Sequence, residues 1–158
     1  MKRFMATGVV SALLMAATAL AAPQSPASPT PKDKCPVCGM FVAKYPDWAA
    51  SIVYRDGRTV HFDGVKDLLT YYLDPAKYDP SRKRSDITAI VVKDYYSLAF
   101  IDGKQAFYVI GSTVFGPMGK ELVPFARRAD AEGFLQDHQG KRIVHFGEIT
   151  AATLKELR

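Results

Sequence analysis

The chain has 158 residues, 48% of them hydrophobic, and a formal net charge of +5, a composition that suits one small globular protein. Its densest basic run, residues 82–84, has no interleaved aromatic residues, so no nucleic-acid partner is expected. The sequence shows no Ser-His-Asp order, no paired carboxylates and no phosphate-binding Gly-Lys-Ser/Thr loop. We therefore do not expect an enzyme.

The N-terminus is typical of a secretory signal peptide. Two basic residues precede an apolar stretch, residues 4–20, and a small-x-small pattern at 19–21 predicts cleavage after Ala21. The apolar stretch is short for a bilayer span of about 20 residues, so no stable membrane anchor is expected. The next residue is Ala22, so cleavage would leave no lipid-accepting cysteine. Residues 22–34 are rich in proline and serine and are predicted to be a disordered linker.

The first half of the remaining chain predicts two strands, a helix and a strand. These elements cover residues 49–54, 59–62, 64–73 and 87–92. An Asp-Gly pair at 56–57 separates the first two strands and is a strong signal for a hairpin. Asp63 is predicted to cap the helix, because its carboxylate can accept from free amides of the first turn.

The second half predicts the same order of elements. Strands are expected over 105–110 and 121–125, a helix over 129–138, and a strand over 142–146. A further strand over 97–101 precedes them and a final helix over 149–157 follows. The first two strands of this half are separated by a predicted glycine-rich loop, residues 111–119.

A short echo supports a duplication: Val60-His-Phe62 in the first half matches Val123-Pro-Phe125 in the second. The sequence therefore predicts an α+β fold built from two repeated ββαβ units. The first unit covers residues 35–95 and the second covers residues 96–158.

After the signal peptide the chain holds only two cysteines, Cys35 and Cys38, and two methionines, Met40 and Met118. Thiolate and thioether are soft donors, and such donors favour Cu(I). If the segment is extended, Cys38 and Met40 point to the same side. Met118 lies in the predicted loop, from which it could close the site. These residues predict a Cu(I) site with one ion per monomer.

The residues by themselves leave other uses of the Cys-x-x-Cys pair open. A structural zinc site would need the two cysteines and two of His61, His138 and His145. A thiol redox protein would use the pair as a dithiol, although the following residues do not predict the helix that such motifs open. A structural disulfide is the third alternative, since exported proteins meet an oxidising compartment.

Two motifs resemble the NosL family of nitrous oxide reductase accessory proteins. The first is Cys35-Pro-Val-Cys-Gly-Met40, followed by Tyr45-Pro46. The second comprises Gly111-Ser112, Gly116-Pro-Met-Gly119 and Val123-Pro-Phe125. The resemblance implies a periplasmic Cu(I) chaperone that delivers copper to the copper centre of nitrous oxide reductase. It also implies paired ββαβ units related to part of organomercurial lyase.

The resemblance further implies where copper would bind. The ligands would come from Cys38 and Met40, together with Met118 of the second motif. Cys35 matches the first cysteine of the family motif, and His61 is the first choice for a histidine that completes the site. The alternatives are a thiol redox or organometal-cleaving enzyme, and a module held together by zinc or a disulfide. Many family members are lipoproteins, a feature not expected here.

Overall fold

The computed structural model describes residue 26 and residues 28–157. The predicted signal peptide, residues 1–21, lies outside this part of the chain. Within the described residues, no helix combines the length and the apolar character needed to cross a membrane.

The first sheet has four antiparallel strands, and the last of them lies beyond residue 95, the predicted end of the first unit. Its strands are β1 (Ala50–Tyr54), β2 (Thr59–Phe62), β3 (Ile87–Lys93) and β4 (Phe100–Asp102). The order across the sheet is β2-β1-β3-β4, and helix α1 (Val65–Leu73) connects β2 to β3. Gly57, at φ +82°, allows the tight turn between β1 and β2 that the Asp-Gly pair predicted.

The second unit forms a three-stranded antiparallel sheet. It contains β5 (Phe107–Gly116), β6 (Gly119–Phe125), helix α2 (Arg128–Asp137) and β7 (Arg142–His145), and helix α3 (Ala151–Lys155) follows. The order is β6-β5-β7, so the first strand of this sheet lies in the centre, as β1 does between β2 and β3. The predicted α+β fold is confirmed, and the matching strand order is consistent with repeated units.

The predicted loop over residues 111–119 is wrong. Strand β5 continues to Gly116 and β6 begins at Gly119, which leaves a two-residue turn at Pro117-Met118. The pairing register shifts between Ile110 and Phe115. Gly111 and Ser112, which had suggested a loop, therefore lie in an irregular part of the strand. Met118 therefore lies at the end of a β-hairpin.

Two other predicted boundaries also differ. The extra strand begins at Phe100, because the Asp94 carboxylate accepts from the N–H groups of Tyr96 and Ser97 and holds them in a turn. The final helix is confined to Ala151–Lys155, and a short 3₁₀ turn precedes it.

The second sheet is covered on both faces. Tyr108, Ile110 and Leu122 join the main core, which also holds Ile52 and Ile90 of the first sheet. Alternate residues of the same strands point the other way, and these pack against α2 in a smaller cluster formed by Val109, Val123, Phe125, Ala131 and Phe134. The main core contains Val65, Leu68 and Leu69 of α1, so the first turn of this helix is held between the two units.

Candidate metal centre

The cysteine motif forms a closed turn ahead of β1. The N–H of Cys35 donates to the carbonyl of Met40 at 2.9 Å, and the N–H of Gly39 donates to the carbonyl of Cys35 at 2.8 Å. Gly39 adopts φ +79°, a left-handed conformation that glycine takes at little cost. Residues 36–38 therefore lie in a turn, and the extended conformation considered for Cys38 and Met40 is not adopted.

Two aspartates that were not expected at the site face the cysteines. The Cys35 thiol donates to Oδ2 of Asp67 at 3.4 Å, and the Cys38 thiol donates to Oδ1 of Asp63 at 3.2 Å. The two sulfurs and one carboxylate oxygen from each aspartate all lie within 4.8 Å of one another. Since a metal ion needs several donors that converge on one point, this group could hold one.

The start of α1 positions both carboxylates. Asp63 directly precedes the helix and Asp67 lies in its first turn, so their spacing of four places them on one face. The prediction that Asp63 caps the helix is wrong, because Gly64 occupies the N-cap position and Asp63 faces Cys38 instead. The cap is supplied from β6, where Oε1 of Glu121 accepts from the N–H of Lys66 at 2.5 Å.

The environment of the two thiols has two opposing effects on their pKa values. Burial raises the pKa of Cys35 well above its ordinary value and raises the pKa of Cys38 to about 12, and hydrogen bonds to the aspartates act in the same direction. Backbone N–H groups point at both sulfurs and favour the thiolate. Without a metal ion the cysteines therefore stay protonated, while the turn already provides donors that suit a metal-bound thiolate.

Asp63 carries an unused ligand atom. Its side chain is fully buried, and its Oδ2 has no hydrogen-bond partner among the described residues. A buried carboxylate oxygen without a partner is costly, because it has lost its hydration without replacement. Together with the soft sulfurs, this oxygen fits a site that binds a cation.

Met118 lies on the hairpin turn, and its side chain is 44% exposed. The Nζ of Lys66 donates to the carbonyl of Met118 at 2.6 Å and to that of Lys120 at 2.8 Å. Lys66 adjoins Asp67 in the first turn of α1. The same helical turn therefore contacts both the hairpin end and the cysteine motif.

The other predicted ligands have different surroundings. Met40 is half-buried, and its carbonyl closes the cysteine turn. His61 is half-buried in β2, where its Nδ1 lies 2.8 Å from Oγ of Ser51 on the paired strand. Burial lowers the pKa of His61. Among the described residues, no histidine belongs to the group formed by the cysteines and aspartates.

Comparison with known proteins identifies the family. The sequence model of the NosL family matches residues 26–154. The chain belongs to the NosL family. A curated member, the copper-binding lipoprotein NosL of Stutzerimonas stutzeri, is 31% identical over 126 residues, which cover 78% of this chain. This chain spans 65% of the length of that relative.

A solved structure of the NosL family also matches. The crystal structure of the copper chaperone NosL from Shewanella denitrificans superposes with a TM-score of 0.69 and is 26% identical. The match covers 83% of this chain and 99% of the other. The fold seen here is thus the fold of a solved NosL protein.

The protonated cysteines predict slow alkylation in the metal-free protein. Because the thiolate is the nucleophile, iodoacetamide at pH 8 should modify both cysteines at least about a hundredfold more slowly than glutathione, and the rate should still rise at pH 10. Mass spectrometry of quenched samples measures the rates. Protein unfolded in urea should react at the ordinary rate; fast reaction of the folded protein at pH 8 would contradict the buried thiol–carboxylate pairs.

Proposed function

We propose that this NosL-family chain is an exported, periplasmic copper chaperone that binds one Cu(I) and delivers it for assembly of the copper centre of nitrous oxide reductase. The observation that carries the proposal is the convergence of Cys35 and Cys38, with the Met118 turn bonded to the same helical turn. The relatives named as copper-binding and as a copper chaperone support the metal.

The proposed ligands are Cys38, Met40 and Met118, with Cys35 beside them. All four side chains provide sulfur, the donor that Cu(I) prefers over oxygen. Binding replaces the thiol proton with the metal ion, so the backbone N–H groups around both sulfurs then stabilise the thiolate. The Nδ1 of His61 bonds to Oγ of Ser51, an arrangement that leaves Nε2 as the ring nitrogen available to a metal ion.

Copper binding and delivery are tested in two steps. Anaerobic titration with a Cu(I)-specific chromophoric chelator and native mass spectrometry should give one Cu(I) per monomer. X-ray absorption at the copper edge should show mainly sulfur neighbours. Loaded protein should then transfer its copper to copper-free nitrous oxide reductase. Absence of Cu(I) binding would overturn the whole proposal. Binding without transfer would overturn only the part that names nitrous oxide reductase as the protein that receives the copper.

A zinc site is the second candidate, and the two aspartates favour it. Zn²⁺ accepts thiolate and carboxylate ligands in tetrahedral geometry, and Cys35, Cys38, Asp63 and Asp67 provide four such donors. This set differs from the two cysteines and two histidines considered from the sequence. It also gives the buried Oδ2 of Asp63 a partner.

Replacing both aspartates by asparagine separates the two candidates. The variant should bind Zn²⁺ at least about tenfold more weakly, because it loses two anionic ligands, while its affinity for Cu(I) should change less. Competition titrations with each metal measure both affinities. A larger loss for Cu(I) than for Zn²⁺ would make the carboxylates part of the copper site.

The thiols do not resemble those of a redox enzyme. Reactive cysteines have a lowered pKa, whereas burial raises the pKa of both cysteines here. Turnover of a dithiol or of an organomercurial substrate by the reduced, metal-free protein would support the enzyme alternative.

A further inference from the structure

A carboxylate outside the proposed ligand set lies between the hairpin and α1. Glu121 of β6 is buried, and its Oε1 accepts from the N–H of Lys66 at 2.5 Å and from the N–H of Leu122 at 2.9 Å. The first amides of a helix have no partner inside the helix, and the N-cap residue Gly64 has no side chain to offer. Glu121 therefore ties the helix start to the second sheet.

Two glycines provide the space for this carboxylate. A Cβ atom at Gly64 would collide with Oε2 of Glu121, and a Cβ atom at Gly116 would lie 3.0 Å from its Cγ. Gly64 begins α1 and Gly116 ends β5. The hairpin and the helix therefore approach each other closely only because both positions lack a side chain.

Lys66 makes the second connection. Its ammonium group donates to the carbonyls of Met118 and Lys120, which lie on either side of Gly119, the first residue of β6. Hydrogen bonds from a charged donor are stronger than neutral ones. We use the name clamp for Lys66 and Glu121, which together bind the hairpin end to the first turn of α1.

The clamp and the cysteine contacts come from the same helical turn. Asp63 and Asp67 reach the cysteine motif, while Gly64 and Lys66 reach the hairpin. We propose that Lys66 and Glu121 are positioning residues that hold the Met118 turn in the place from which its thioether completes the Cu(I) site. This inference rests on the proposed function, because it takes Met118 as a copper ligand.

The physical reason is preorganisation. The Met118 side chain is 44% exposed, so few packing contacts fix the turn that carries it. A ligand on a mobile turn loses conformational freedom when it binds a metal, and this loss weakens binding. Hydrogen bonds at the backbone of the turn remove part of that freedom in advance.

A double-mutant cycle tests the proposal in the full-length protein. Lys66→Leu should lower the affinity for Cu(I) about tenfold in the presence of Met118. In a Met118→Leu background the same change should have no further effect, because the ligand that Lys66 positions is gone. Lys66→Arg, which retains a charged donor, should restore most of the affinity. Glu121→Leu should behave like Lys66→Leu, with the fold checked by circular dichroism.

The sign of the effect separates positioning from simple electrostatics. A positive side chain repels Cu(I), so loss of charge alone would strengthen binding. Lys44→Leu removes a charge from the 3₁₀ turn that follows the cysteine motif and serves as the charge control. It should not weaken binding.

Several outcomes would overturn the inference. They are stronger or unchanged binding in Lys66→Leu, an equal loss in the Met118→Leu background, or no effect of Met118→Leu itself. If Lys66→Leu fails to fold, Lys66→Gln, which loses the charge and the length of the donor, and Glu121→Leu in both backgrounds decide, since additive effects would contradict positioning. Absence of Cu(I) binding by the unaltered protein is a different result and overturns the proposed function.

Discussion

A protein with both Cys38→Ser and Met118→Leu is expected to bind Cu(I) more than about a hundredfold more weakly than the unaltered chain. The two changes remove one donor from each half of the proposed site and leave its shape almost unchanged. Replacement of partners that merely support metal ligands already costs about 10–100-fold in affinity. Competition with a Cu(I) chelator under anaerobic conditions measures the loss.

A matched control variant shows whether the loss of affinity comes from the sulfur atoms. Phe115→Leu changes an exposed apolar residue of the same hairpin, 62% accessible, and provides no sulfur in either form. It should bind Cu(I) as the unaltered protein does. An affinity for Cu(I) that stays within about threefold in the double variant would show that the sulfur site is placed wrongly, because lost ligands cost more than lost supporting partners.

Asp94→Ala is expected to lower the free energy of unfolding by about 3 kcal/mol, the largest loss of stability that we predict. Asp94 is buried between the two sheets. Its carboxylate accepts from the N–H groups of Tyr96, Ser97 and Ala126 and from the Ser97 hydroxyl. Alanine would leave these donors without a partner. Urea unfolding followed by circular dichroism measures the change.

Two comparisons control this result. Asp94→Asn retains an acceptor oxygen and should lose less stability than Asp94→Ala. Asp47→Ala alters an exposed aspartate and should stay within about 0.5 kcal/mol of the unaltered protein. A loss as small in Asp94→Ala as in Asp47→Ala would mean that the carboxylate does not join the sheets.

The same carboxylate predicts a dependence of stability on pH. Burial by itself would raise the pKa of Asp94, but the N–H donors of Ala126 and Ser97 outweigh it and hold the pKa below its ordinary value of 3.8. The folded state therefore binds fewer protons than the unfolded state in this range. The stabilisation is present above about pH 4 and is lost as the pH falls below it. The Asp94→Ala variant lacks this carboxylate, so its free energy of unfolding should fall less between pH 5 and pH 3 than that of the unaltered protein.

Local patterns in the sequence were sufficient for most of the fold. The Asp-Gly pair and the flanking β-branched residues predicted β1 and β2 to within one residue, because turn geometry and strand pairing depend on neighbours in the chain. The strands β5 and β6 were predicted, but their extension to a two-residue turn was missed, since the glycines and serine weaken the alternation of side chains although backbone pairing continues.

The residues of the candidate site also fall into two groups, those that could be identified from the sequence and those that could not. Cys35 and Cys38 could be identified from the sequence, because their spacing and chemistry are local properties. Asp63 and Asp67 were missed as partners of the thiols, from which they are separated by 25 and 32 residues. Their spacing of four at a helix start was the available signal, but Asp63 was predicted only to cap the helix and Asp67 was given no role.

The sequence by itself determined the order of the elements and provided the soft donors that favour Cu(I). Only the tertiary structure decided that two carboxylates face the thiols and that Lys66 bonds to the Met118 turn. The physical reason is range: propensities and turn signals act over a few residues, whereas these contacts depend on how α1 packs between the two sheets.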